Sequence, residues 1–175
     1  NASIEKEMAE RPYITKDRSA IKSNSQAAVY VDGKLYQEGK FSPMWNVAME
    51  LAAFVKEGDQ SNKGRYKTVE YVLNMDFCYD SSWFGEGTMT VSNRYFTIDL
   101  NGHLLWRDDH GSVISIIDQS VVTIMDSNPT KVNGGYLFEN HYWRPYGNCS
   151  VAIQGGVICG GYLRTGDGGG LYVNN

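Results

Sequence analysis

The stretch Tyr95–Trp106, YFTIDLNGHLLW, sets two runs of aromatic and branched residues on either side of Asn101-Gly102. Aromatic and β-branched side chains favour strands, and Asn-Gly tolerates the two positive φ angles of a type I′ turn. The stretch reads as a β-hairpin. The same pattern recurs outward from it. AAVYV-DG-KLYQ, Ala27–Gln37, has Asp-Gly between two strand-like runs. TMTVSNRYFTIDL puts a short turn at Ser92-Asn93, and Asp108–Gly111, DDHG, reads as another. SVISIIDQSVVTIM reads as two apolar strands broken near Asp118, and DSNP at Asp126–Pro129 ends the run. Many short strands with frequent turn signals predict an all-β fold, a short-stranded antiparallel, sandwich-like domain over residues 26–131.

The stretch SPMWNVAMELAAFVKEG supports two readings. Ser42 as a cap, Pro43 at the first helical position and Gly58 as a stop are helix signals. Yet Trp45, Val47, Met49, Leu51, Ala53 and Val55 are apolar at period two, as are Val69, Tyr71, Leu73, Met75 and Phe77 across a polar loop. The alternation predicts a long hairpin, with the helix as the competing reading. Residues 1–25 read as a helical or extended connector. Ser3–Glu10 would be the end of a helix, with Ile4 and Met8 on one seam.

The composition bounds the function. The 175 residues are 42% hydrophobic and 21% charged, enough for one domain with a core. A net charge of −4 argues against a nucleic-acid partner. No apolar run approaches the roughly 20 residues that span a bilayer, so no membrane insertion is expected. The chain opens on Asn1 without a signal-peptide pattern, which suggests a fragment or processed product of a longer chain. Cys78, Cys149 and Cys159 are expected as free buried thiols, with a Cys149–Cys159 pair as the alternative. No phosphate loop, dinucleotide fingerprint or nucleophile elbow occurs, so no cofactor is expected.

From Val132 onward the chain holds 11 of its 19 glycines and four charged residues, Glu139, Arg144, Arg164 and Asp167. Glycine pairs alternate with aromatic residues in NGGYLFENHYWRPYGNC, GGVICGGYLRTG and GGGLYVNN. Glycine serves where φ is positive or another backbone comes close. Residues 132–175 therefore read as an intertwined Gly- and aromatic-rich β tip, with the glycines either in turns or around a symmetry axis. The segment Glu139–Asn148 mixes aromatic faces with hydrogen-bonding groups. Its residues His141, Tyr142, Trp143, Arg144 and Tyr146 are candidate receptor contacts, as are Tyr79 and Trp83 in DFCYDSSWFGEG. The competing reading makes these aromatics core. Asp76, Asp80 and Glu86 could supply a glycosidase carboxylate pair, but any acidic β loop shows such residues, and solvated loop carboxylates are the better reading. Asp108-Asp109-His110 is better explained as a polar turn than as a metal site, and no metal is expected.

These three glycine-aromatic motifs, together with the connector and the short strands, resemble the C-terminal receptor-binding portion of trimeric bacteriophage tail fibres. The motifs cover roughly the last quarter of the chain. The resemblance implies a homotrimer assembled in the cytoplasm of an infected bacterium and carried on the virion. Its tip would bind a bacterial surface polysaccharide or outer-membrane protein and would not be an enzyme. The His-x-His pairs of iron-bearing fibre tips and the Ser-Asp junction of self-cleaving fibre domains are missing. The alternatives are a polysaccharide-degrading tailspike or glycosidase fragment and a monomeric carbohydrate-binding module.

Overall fold

The computed structural model describes residues 16–56, 66–84, 87–133, 136–139, 142–145, 153–162 and 169–174. The fold is mostly β. Its first pair is the expected hairpin. Strands β1 (Ala27–Val31) and β2 (Lys34–Gly39) pair antiparallel across Asp32-Gly33, both at positive φ.

From Val69 onward the architecture departs from the antiparallel sandwich. Strands β3 (Val69–Leu73), β6 (Tyr95–Asp99) and β9 (Val121–Met125) lie parallel in one sheet, which β1 and β2 extend at its other edge. Strands β4 (Phe77–Tyr79), β7 (Leu104–His110) and β14 (Val157–Tyr162) form a second parallel sheet. Strands β5 (Met89–Ser92), β8 (Ile114–Ile117) and β15 (Leu171–Asn174) form a third. The chain visits the three sheets in turn and then begins again one layer on. Partners such as Glu70 and Thr97, Tyr95 and Val121, or Met89 and Ile114 lie 25 to 27 residues apart. This is a three-rung parallel β-solenoid.

The Asn101-Gly102 reading is thus half right. Both residues adopt positive φ, 46° and 74°. The flanking strands β6 and β7 nevertheless belong to different sheets and do not pair. The turn is a corner of the coil, not the end of a hairpin.

Inward-facing residues stack in columns down the rungs. Tyr71 sits over Ile98 and Ile124, Phe77 over Leu105 and Ile158, and Met89 over Ile114 and Leu171. In the first two rungs these inward-facing residues are buried in the core. Each such side chain contributes about 1.5–3 kcal/mol by leaving water. In the last rung Leu171 and Val173 are 42% and 59% exposed.

Residues Phe41–Leu51 form helix α1, not a strand. Phe41, Met44, Trp45 and Ala48, spaced for one helical face, are its buried residues. Together they cover the first end of the coil. Phe41 stacks on Phe77 with ring centroids 3.9 Å apart, and Trp45 meets Tyr71 and Phe96 edge-on at 5.1 and 5.2 Å. The period-two pattern was coincident with this face. Burial against the end of the coil decided between the two periods. Lys40 caps without a side-chain bond, while Gln26 Oε1 accepts from the Phe41 N–H at 3.1 Å.

The strands beyond residue 132 are not a separate tip, because β14 and β15 complete sheets begun by β4 and β5. Between β9 and β14 the chain makes an excursion. It contains the pair β10 (Val132–Asn133) with β13 (Ile153–Gln154) and the antiparallel pair β11 (Tyr136–Glu139) with β12 (Tyr142–Pro145). Gly155, Gly156, Gly160 and Gly161 pack against their own chain. A Cβ on Gly161, at φ 62°, would lie 2.3 Å from the Gly169 carbonyl oxygen and 2.6 Å from that of Gly111. The Ser3–Glu10 helix, Cys149 and Glu86 lie outside the described residues. Cys78 is exposed, contrary to expectation, and Cys159 is half-buried, its thiol pushed up to about 11 by burial.

Gly161→Val should destabilise the fold by about 3 kcal/mol or more, combining positive-φ strain with overlap on two carbonyls. Gly170, where a Cβ meets nothing within 4 Å, is the control. Gly170→Val should shift stability by no more than about 0.5 kcal/mol. Urea denaturation of both variants measures the difference.

Candidate binding site

The irregular segment of residues 16–26, with turns at Ser19-Ala20 and Ser23-Asn24, straps the outer face of the first sheet. Ile21 packs there with Ala28, Tyr30 and Val72. The strap is pinned by Arg18. Its Nε and one terminal nitrogen donate to Asp99 Oδ2 at 2.9 and 2.7 Å, and the same nitrogen donates to Glu70 Oε1 at 3.2 Å. The guanidinium also lies 4.4 Å from the Tyr30 ring centroid. Lys16 adds an ion pair to Glu70. Burial works against the charge of Arg18, but the two carboxylates outweigh it and raise its pKa. The fully buried Asp99 uses its other oxygen to accept the N–H groups of Asn101 and Ser127, both at 2.9 Å.

Beside the strap the solenoid corners form a polar column. Asn101 Nδ2 donates to the Leu73 carbonyl at 3.0 Å, and Ser127 Oγ donates to Asn101 Oδ1 at 3.3 Å. Asn74 Nδ2 donates to the Ser25 carbonyl at 2.8 Å, tying the strap to the first corner. A cleft of about 430 Å³ opens here between Lys16, Asn74, Asn101, His103, Asn128 and Lys131. A second, of about 490 Å³, lies on the other side of Lys16, against Asp32, Lys67, Thr68 and Thr97.

His103 Nδ1 lies 3.2 Å from Asp76 Oδ1 and 2.8 Å from Lys131 Nζ. Burial alone would push the Asp76 carboxyl up. Hydrogen bonds from His103 and the Leu104 N–H, with the charges of His103 and Lys131, hold it below its ordinary value.

The expected contact residues are scattered. Tyr79 is 1% exposed and offers no surface to a ligand. Its hydroxyl donates to the Val113 carbonyl, and burial pushes its pKa up to about 12. Trp83 is exposed at 43%, with its ring edge-on to Phe77. Tyr142, Trp143 and Arg144 lie in β12, where Trp143 stands opposite Phe138 and Arg144 opposite Leu137. His141 and Tyr146 lie outside the described residues. Asp80 accepts from the Ser82 hydroxyl and N–H, which hold its carboxyl below the usual range. That is the wrong direction for a general acid. Asp109 is engaged by Arg107 Nε at 2.6 Å and by the Ser81 N–H at 2.9 Å. It belongs to the end of β7, not to a turn. The Arg107 side chain itself is buried, donating also to Thr88 Oγ1 and to the Ser112 and His110 carbonyls.

The cleft residues escaped the sequence reading. The signal that finds them is the recurrence of VEYVL, YFTIDL and VVTIM at a near-constant interval, which aligns Asn74, Asn101 and Ser127 at one corner.

The fold thus defines a short parallel β-solenoid, capped by a helix and carrying a lateral polar cleft. Set against protein-family models, curated proteins and solved structures, the chain matches none of them.

Arg18→Met should cost about 3–5 kcal/mol in urea denaturation, because it leaves Asp99 and Glu70 buried without their counter-ion. Asp76 sets a pH dependence. Its depressed folded pKa supplies stability that is present above the ordinary carboxylate range near about 4 and is lost as pH falls through the folded value. Asp76→Asn should therefore flatten the acid limb of stability measured between pH 7 and pH 2. An unchanged acid limb would exclude this contribution.

Proposed function

We propose that this chain is the receptor-binding part of a trimeric bacteriophage tail fibre and binds a glycan or outer-membrane protein on the bacterial surface. The observation that carries the reading is the excursion between β9 and β14. The aromatic-rich sequence singled out as a receptor surface forms its own antiparallel pair, β11–β12, outside the three solenoid sheets. Binding groups commonly sit on segments inserted into a rigid scaffold, and a coil of stacked rungs is such a scaffold.

Assembly into a homotrimer on the virion is part of the proposal. Val121, Val132, Leu171 and Val173 are exposed apolar residues near the open end and excursion, and neighbouring copies would cover such surface. Three copies would raise avidity, so each site need bind only modestly.

Trp143→Ala is the test. Loss of a central aromatic anchor commonly costs at least about 2 kcal/mol per site. The variant should lose adsorption to host cells while its solution mass remains that of the native assembly. Unchanged adsorption would remove the hairpin from the receptor site. A failure to assemble would return Trp143 to a structural role.

A further inference from the structure

The cleft at the root of the excursion has an electrostatic feature that the fold does not use. Lys131 is half-buried, and its Nζ lies 2.8 Å from His103 Nδ1 and donates to the Gly102 carbonyl at 3.4 Å. Among the described residues no carboxylate stands within ion-pair distance of it. Asp76 and Asp126 favour its charge from farther away, yet burial dominates and lowers its pKa. Among the described residues the ammonium therefore has no direct carboxylate partner.

The other cations of the cleft are already engaged. Arg18 is committed to Asp99 and Glu70, and Lys16 to Glu70. Lys131 is therefore the group to which an incoming anion adds most. Around it are neutral hydrogen-bonding groups suited to hydroxyls. They are the exposed Asn128, the Asn101 amide and the His103 ring, with the Asp17 carboxylate at the rim. At about 430 Å³ the cleft falls within the size of small-molecule sites.

We propose that this cleft is a subsite for an acidic sugar, whose carboxylate pairs with Lys131 and whose hydroxyls meet the corner amides. The assignment rests on the glycan-binding reading of the domain and gives that reading a substrate class. A monoanion matches one ammonium that has no direct ion pair among the described residues. A neutral sugar would leave that ammonium as it is, and a bare anion would not use the amides. The cleft and the hairpin are adjacent in the chain, since Asn128 and Lys131 begin the excursion that carries β11 and β12.

The experiment titrates the full chain with glucuronate, galacturonate and N-acetylneuraminate, each against its methyl ester and against inorganic phosphate. Amide and imidazole resonances of Asn101, Asn128 and His103 report occupancy. At least one acid should saturate, with its ester weaker by about tenfold, the loss of one charge-assisted hydrogen bond. Lys131→Met should reduce the acid to the affinity of the ester, and Lys131→Arg should retain the preference. Asn128→Ala should weaken acid and ester alike. The proposal fails if no acid saturates, if acid and ester bind equally, if phosphate binds as tightly as the best acid, or if Lys131→Met leaves the preference intact. Host adsorption separates the two readings. Adsorption that depends on Trp143 without acid binding removes the cleft alone. Acid binding by a protein that does not adsorb to host cells removes the tail-fibre reading alone.

Discussion

Asp99 is the point through which the strap, the second rung and the third rung are joined. One carboxylate oxygen receives the Arg18 guanidinium. The other receives two backbone N–H groups, from Asn101 in its own rung and Ser127 in the next. A fully buried carboxylate persists only when paired and hydrogen-bonded throughout, and this one is. It sets the distance between successive corners and holds the strap down on the sheet. The cleft exists because those two things happen side by side. Its floor is the column of corner amides and its wall is the strap.

A parallel coil has particular mechanical consequences. Each rung contacts only its neighbours, so the structure is stiff along its axis and tolerant of insertions at its corners. Helix α1 closes one end, with Phe41 stacked on Phe77 and Trp45 edge-on to Tyr71. At the other end Leu171 and Val173 continue columns that are buried in the rungs above. The molecule is thus asymmetric, with one finished end, one apolar end and an aromatic excursion leaving the last rung between them.

Much of the local structure is legible in the chain. The strands β1, β3, β6, β8 and β9 lie where alternation or apolar runs set them, and Asp32-Gly33 and Asn101-Gly102 turn as Asx-Gly pairs do. What alternation does not encode is the partner. A strand shows which faces it buries, but parallel neighbours 25 to 27 residues away are specified by stacking of side chains from separate rungs. The helix α1 was ambiguous for a related reason, because its residues satisfy both periods until the end of the coil offers a surface that only the helical face covers. Tyr79 illustrates the converse. An aromatic beside Asp80 and two serines reads as a loop contact, yet its inward position in β4 makes it core.

The β-rich character, the Asx-Gly turns at Asp32-Gly33 and Asn101-Gly102, and the segment that concentrates aromatic residues are legible in the chain alone. These are local properties, set by φ/ψ preference and side-chain shape. Only the tertiary structure decided that Asn74, Asn101 and Ser127 share a corner, that Arg18 meets Asp99 across 81 residues of chain, and that Lys131 comes to rest beside His103. Those contacts arise because winding the chain into rungs brings together residues that no local pattern connects. Burial between the rungs then decides which polar groups must find partners and which are left facing the cleft.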